Sequence, residues 1–376
     1  MRLKINVPEM VRALAACGQV AKRAPVNLRG KVLIADDIVA ATDLESALRF
    51  PLRESSGKLA PCVVDAPGAL KLFRSLAKRK LWDAELSIRG EALRWSAGIA
   101  SGTLPLAMPA DDYPHRVGFP EAIHFGPEGI EAEPLARALR YVLPACSDDA
   151  TRSNLNGCFV EAEAEAVSIT ATDGHRLHRA IVSATLGLLE GWRSAILPRL
   201  PLGDLARLLK GSGELDRVRI LQDPETTRVY LCADNGAWQA WMRSIDGEYP
   251  NYRQVIKKKT AYSANIDALA LTGALEAVLP QAPVWPSCKI SADQTGAALR
   301  IEYAHADGVS CLSIVPTHVP DGWPAASFNA QYLKDAIGGA HECSIACTDA
   351  LEAFLVTPRD PDAAEGALAV VMPTRP

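Results

Sequence analysis

The sequence predicts an α+β chain of three tandem domains, each with two helices packed on an antiparallel sheet. Three observations predict it. Related segments recur about 130 residues apart, and the 376-residue chain holds close to three such periods. Each period also mixes helical with two-residue apolar spacing. Solenoid repeats run roughly 20–50 residues, so a period this long means domains of ordinary size.

In the first copy Pro8 opens a helix whose predicted face is Val11, Leu14, Ala15 and Gly18. A strand then ends in Ala41-Thr42-Asp43, and a second helix enters at Pro67 with Ala69, Leu70, Phe73 and Leu76. Glu85-Leu86-Ser87-Ile88 alternates as a strand, and the acidic turn Asp111-Asp112-Tyr113-Pro114 closes the copy. The second copy repeats the plan. It has a helix through Leu135, Leu139 and Val142, a strand ending in Ala171-Thr172-Asp173, and a helix from Pro201 with Leu202, Leu205 and Leu208. The alternating strand Arg217-Val218-Arg219-Ile220 and the turn Asp246-Gly247-Glu248-Tyr249-Pro250 follow. The third copy has a helix through Leu269, Leu271, Leu275 and Val278, and another from Asn329 through Leu333 to Ile337. Boundaries near Pro120 and Pro250 give domains 1–120, 121–250 and 251–376.

Composition narrows the function classes. Hydrophobic residues make up 48% and aromatics 6%, so the cores are mostly aliphatic. No run of about 18 apolar residues exists, and Met1-Arg2-Leu3-Lys4-Ile5-Asn6 runs into patterned polar sequence. Neither a transmembrane helix nor a secretory leader is expected. The nine cysteines are scattered and never form C-x-x-C, which argues against a zinc ribbon or a disulfide framework. They read as small core residues in a reducing cytoplasm, and no metal or cofactor is expected.

The net charge is −4, which excludes a uniformly basic nucleic-acid binder. Residues 1–120 carry +6, 121–250 carry −6 and 251–376 carry −4. Basic residues gather on helices: Lys71, Arg74, Lys78, Arg79 and Lys80, then Arg137, Arg140, Arg199, Arg207 and Lys210. Acidic ones gather in turns and strands, as at Glu161, Glu163, Glu165, Asp216, Asp223 and Glu225. Most such charges are simply solvated helix faces. A closed ring with its helices inside would also produce this pattern, its inner wall meeting phosphates.

Ala171-Thr172-Asp173-Gly174-His175-Arg176-Leu177 resembles the signature of the bacterial DNA sliding clamp, the β subunit of the replicative polymerase. Ala41-Thr42-Asp43-Leu44-Glu45, Leu155-Asn156-Gly157, residues 246–253, Phe328-Asn329 with Tyr332, and Val370-Val371-Met372-Pro373-Thr374-Arg375 agree in order along the chain. The resemblance implies three DNA-clamp-like domains, a head-to-tail dimer and a closed ring around duplex DNA. It implies a processivity factor that tethers the replicative polymerase catalytic subunit and meets the clamp loader. Translesion polymerases and mismatch-repair proteins are further partners it implies.

It also implies a hydrophobic cleft for partner peptides. The matching positions are Leu155, Thr172, Gly174, His175, Arg176, Leu177, Pro250, Gln254, Val255, Trp285, Asn329, Tyr332, Val370, Val371, Met372 and Pro373. The DNA-facing positions are Arg23, Arg74, Lys78, Arg137, Arg140, Arg152, Arg199, Arg207 and Lys210, and the dimer interface falls to Leu104, Leu106, Val278 and Leu279. Gln254 stands where clamps often carry Arg, Trp285 where a smaller residue is usual, and Thr374 and Pro376 where the tail is usually apolar. The edge segment 97–102 has no arginines, so packing rather than charge pairing has to close the ring.

An enzyme is the competing class. No nucleophile elbow, H-E-x-x-H, P-loop or G-x-G-x-x-G is present. Asp43 recurs as Asp173, as a turn-forming carboxylate would and a catalytic one need not. Within the binding class, the alternatives to an encircling clamp are a non-encircling clamp-like scaffold and a specialised second clamp for translesion polymerases.

Overall fold

The computed structural model describes residues 1–114, 129–163, 165–184, 194–210, 217–222, 228–233, 236–281, 287–304, 310–361 and 363–374. Trp285, the boundary at Pro120 and the last two residues lie outside them.

The element order repeats one pattern, β-α-β-β-β, six times. It begins with β1 (Leu3–Asn6), α1 (Val7–Arg23), β2 (Lys31–Ala35), β3 (Ile38–Thr42) and β4 (Ser46–Pro51), with a two-residue β5 (Ser56–Gly57). The second run is β6 (Cys62–Asp65), α2 (Ala66–Lys78), β7 (Asp83–Arg89), β8 (Ala92–Ala97) and β9 (Ala100–Met108). The third is β10 (Ile130–Glu131), α3 (Ala132–Val142), β11 (Gly157–Glu163), β12 (Ala166–Thr172) and β13 (Arg176–Ser183). The fourth is β14 (Ser194–Pro198), α4 (Arg199–Leu209), β15 (Arg217–Gln222), β16 (Arg228–Ala233) and β17 (Gln239–Arg243). The fifth is β18 (Tyr262–Asp267), α5 (Ala268–Val278), β19 (Ser287–Ala292), β20 (Ala298–Ala304) and β21 (Ser310–Pro316). The last is β22 (Ala326–Asn329), α6 (Ala330–Ile337), β23 (Glu342–Cys347), β24 (Phe354–Pro358) and β25 (Leu368–Val371).

Each helix grows directly from a strand end, and a side chain there often caps it. Asn6, Asp65, Asp267 and Asn329 each accept a backbone N–H from the first turn of α1, α2, α5 and α6. Such a cap is worth roughly 0.5–2 kcal/mol, and it fixes the point where strand periodicity gives way to helical.

Two compact units result. One is built mainly from Met1–Glu133 and Arg207–Ser244, the other mainly from Pro134–Ala184, Arg193–Ala206 and Ile245–Pro376. The first contains a 13-stranded sheet in the order β10-β15-β16-β17-β4-β3-β2-β6-β9-β8-β7-β1-β5. The second contains an eight-stranded sheet, β14-β11-β12-β13-β25-β24-β23-β18, and a four-stranded one, β21-β20-β19-β22. The strand pairings among the described residues are antiparallel, as in β13–β25 and β20–β21.

Two helix faces differ from expectation. In α1 the buried stripe is Met10, Ala13, Leu14, Cys17 and Ala21, which packs on the sheet. Val11, Ala15 and Gly18 are half-buried, and Ala15 and Gly18 face α2, because the helix is covered on two sides rather than one. In α5 Leu269 is exposed, since it lies about 200° around the helix from the buried Leu271. Glu9, on the buried side of α1, is satisfied by the backbone N–H groups of Arg53 at 2.7 Å and Glu54 at 3.0 Å. Among the described residues seven cysteines are buried, and Cys146 and Cys158 approach to 3.5 Å, Sγ to Sγ.

Candidate functional site

The turn between β12 and β13 is built by its own side chains. Asp173 Oδ1 accepts the N–H groups of His175 at 2.9 Å and Arg176 at 3.0 Å. Thr172 Oγ1 donates to the Arg176 carbonyl at 2.6 Å and accepts from Gly174 N at 3.1 Å. Gly174 has φ +91°, and a Cβ there would stand 3.2 Å from the Arg152 guanidinium. Arg152 donates to the Asp173 carbonyl at 3.0 Å and pairs with Asp149 at 3.1 Å, so this residue, expected to face DNA, is engaged with the turn.

Arg176 is largely buried and fully engaged. Its Nε pairs with Asp173 at 3.0 Å, Nη1 with Asp335, and Nη2 donates to the Pro144 carbonyl. Its guanidinium lies 4.1 Å from the centroid of the Tyr332 ring. Asp335 is held in turn by Gln331 at 2.7 Å, and Asn329 caps α6 beneath it. Burial, with Asp173 next, pushes the Tyr332 hydroxyl pKa above its ordinary value. Arg176 therefore fastens α6 to the turn, and His175 is the exposed residue beside it.

The strand β25 completes the site. Leu177 pairs with Val370 and Arg176 with Val371, and Met372 N donates to the His175 carbonyl at 2.9 Å. Leu177 and Val370 belong to a core cluster with Tyr252, Ala353 and Leu355, against which Phe159, Tyr249 and Ile256 pack. Leu177 exposes 2% and Val371 0%, and Leu155 is buried too, so these three and Val370 form a floor rather than open walls. The free apolar surface is Val255, 43% exposed, and Met372, 39% exposed. Gly174, Pro250 and Gln254 are exposed, Thr172, Asn329, Tyr332 and Pro373 half-buried. Thr374 N donates to the Ser327 carbonyl at 2.7 Å, which fastens the tail to β22.

His178 was not singled out by the sequence. Its Nδ1 lies 2.7 Å from the Tyr141 carbonyl, its ring stacks on Tyr141 at 5.0 Å, and its Nε2 has no partner among the described residues. Burial pushes its pKa down to about 4. The neighbouring Arg176 adds to that, against the opposing pull of the hydrogen bond and of Asp335 and Asp173.

A groove of about 560 Å³ separates α1 from α2, with Lys22, Lys71, Arg74 and Lys78 on its walls. Arg74, Lys78, Arg140, Arg207 and Lys210 are exposed, while Arg137 and Arg199 are half-buried. Arg23 is turned away from solvent onto Asp43 at 3.0 Å and Ser46 at 3.2 Å. Of the residues expected at a dimer interface, Leu104, Leu106 and Leu279 are half-buried, whereas Val278 is wholly buried in the core around α5. Leu312 and Ile314, which sequence reading missed, stand exposed on β21, the outermost strand of its sheet.

Residues 129–251 match the family described as the DNA polymerase III beta subunit, central domain. The beta sliding clamp of Haemophilus influenzae is 24% identical over the full length of both chains. That of Caulobacter vibrioides is 28% identical over 78% of this chain and 77% of its own. The crystal structure of the DNA polymerase III beta subunit from Thermotoga maritima covers 100% of this chain and 99% of its own, with a TM-score of 0.82 and 22% identity. The chain shares the fold of bacterial sliding clamps. Within that fold, residues 129–251 are the part similar to the DNA polymerase III beta subunit central domain.

Proposed function

We propose that the chain is the non-catalytic processivity factor of a bacterial DNA polymerase III: a cytoplasmic homodimeric ring that encircles duplex DNA without sequence preference. Domains 1–120, 121–250 and 251–376 would supply three of six similar segments. The observation that carries this is the clamp fold over the entire chain. The α1–α2 groove supports it, since its four cations meet phosphates without reading bases. Retention by a ring is topological, so these contacts need only be weak, and a tight grip would oppose sliding.

The ring would close where β9 meets β21 of a second copy. Among the described residues, β9 over Ala100–Pro105 is paired only with β8, and β21 only with β20. Two open edges can add to one another, with Leu104, Leu106, Leu312 and Ile314 packing at the seam. Such an interface is heterologous yet closes after two subunits. Partner peptides from the polymerase, clamp loader and repair factors would dock over Val255 and Met372, which turns rebinding of a polymerase into an intramolecular event at roughly millimolar effective concentration.

The test is retention on nicked circular DNA after loading, followed by linearisation. Loss only after linearisation supports encirclement. Equal loss from both forms makes the protein a non-encircling scaffold.

A further inference from the structure

We infer that the cleft selects an extended peptide whose apolar anchors are flanked by carboxylates, and that Lys258 and Lys259 read those carboxylates. The inference rests on the cleft reading above and names the chemistry of its partner.

Ile256 packs on the cluster of Leu177, Tyr252 and Val370, which fixes the segment that follows Tyr252–Gln254 beside the strand pair β13–β25. Val255 next to it presents open apolar surface, as does Met372. Three other cations are already paired. Arg152 pairs with Asp149 at 3.1 Å, Arg253 with Glu161 at 3.0 Å and Lys257 with Glu352 at 2.9 Å. Lys258 and Lys259 are exposed and have no ion pair or hydrogen bond among the described residues. They follow Val255 by three and four residues, so they lie at most about 11 and 14 Å from it along the chain. An extended ligand covers the same span in three to four residues of its own.

In a chain of net charge −4, two unneutralised ammonium groups three and four residues from the exposed Val255 complement an anionic, partly apolar segment. A sugar-phosphate backbone would use the charges but not Val255 and Met372, which favours the peptide. At an exposed rim such charges act on selectivity and encounter rate more than on total affinity.

The experiment compares two fluorescent nonapeptides that share Leu and Phe anchors and differ in three flanking residues, Glu in one and Gln in the other. Anisotropy titrations use the full-length protein and the Lys258→Glu/Lys259→Glu variant, at low and at moderate salt. The expected result is about fivefold tighter binding of the Glu peptide to the parent protein at low salt. The preference reverses in the variant and flattens as salt rises, while the Gln peptide binds both proteins equally. Equal affinity of both peptides for the parent protein overturns the inference and leaves the cleft standing. Binding of neither peptide removes the cleft reading itself, and the inference with it. If the variant slips from nicked circular duplex while its peptide preference is unchanged, the lysines serve phosphate and the inference is wrong.

Discussion

Protonation of His178 sets an acid limit on this fold. The ring is buried and neutral, with a pKa near 4, against about 6.5 for a histidine in an unfolded chain. Above pH 6.5 both states are neutral and the group has no effect on the balance. Below it the unfolded chain binds a proton that the folded one refuses, so stability falls with pH and the loss is complete near pH 4. The interval of about 2.5 pH units, at 1.36 kcal/mol each, amounts to about 3 kcal/mol. His178→Asn removes the titration and keeps an N–H near the position of Nδ1, so its stability should lack this component. The assay is urea unfolding of both proteins at equal protomer concentration across pH 7 to 4. The expected result is that the parent protein loses about 3 kcal/mol more than the variant. Parallel pH profiles would refute a buried neutral His178.

Two further outcomes follow from placement. Leu177→Ala truncates a buried side chain and should cost about 2–5 kcal/mol of stability, whereas Met372→Ala should leave stability within about 0.5 kcal/mol and weaken peptide binding. Denaturant midpoints and calorimetric titration of a Leu-Phe peptide separate the two, and the opposite pattern would mean the floor and the open surface are misassigned. Reversing the exposed Arg74 and Lys78 to Glu should impair loading and retention on nicked circles without lowering the unfolding midpoint, and normal processive synthesis by that variant would refute the proposed DNA-facing role of α2.

What could be read from the sequence was whatever depends on residue type at short range. The Ala-Thr-Asp strand ends were legible because a Thr hydroxyl and an Asp carboxylate are the groups that bond a turn's own backbone. Asp349 makes a related turn by accepting Leu351 N at 2.8 Å and Glu352 N at 2.9 Å, though its flanking sequence had hidden it. The sixfold β-α-β-β-β order was missed, because its half-repeats share caps and apolar spacing but few residues. The helix face of α1 was misjudged because a sheet and a second helix both cover it. Arg176 shows the other limit. Beyond the nearby Asp173, its partners are the carbonyl of Pro144 and the carboxylate of Asp335, 32 and 159 residues away, so no local pattern could show that the rest of its guanidinium is occupied.

The two Ala-Thr-Asp turns differ in ways that bear on the proposed cleft. Their backbones are wired alike. Thr42 Oγ1 donates to the Ser46 carbonyl at 2.8 Å, and Asp43 Oδ1 accepts Glu45 N at 3.1 Å and Ser46 N at 2.6 Å. Arg243 N then donates to the Glu45 carbonyl at 2.9 Å, as Met372 N does to His175. The side chains differ at three places. Leu44, at φ +77° and 44% exposed, stands where the other turn has Gly174. An Arg243–Glu45 ion pair at 3.4 Å lies where the other turn has Met372 and His175. Arg23 reaches Asp43 from α1, whereas Arg176 comes from within its own turn and continues to α6. The hydrogen-bonded turn is thus a device for ending a strand, available at either place. Glycine at its tip and a thioether in place of an ion pair set the second turn apart, and on the proposed reading they are what would admit an apolar peptide.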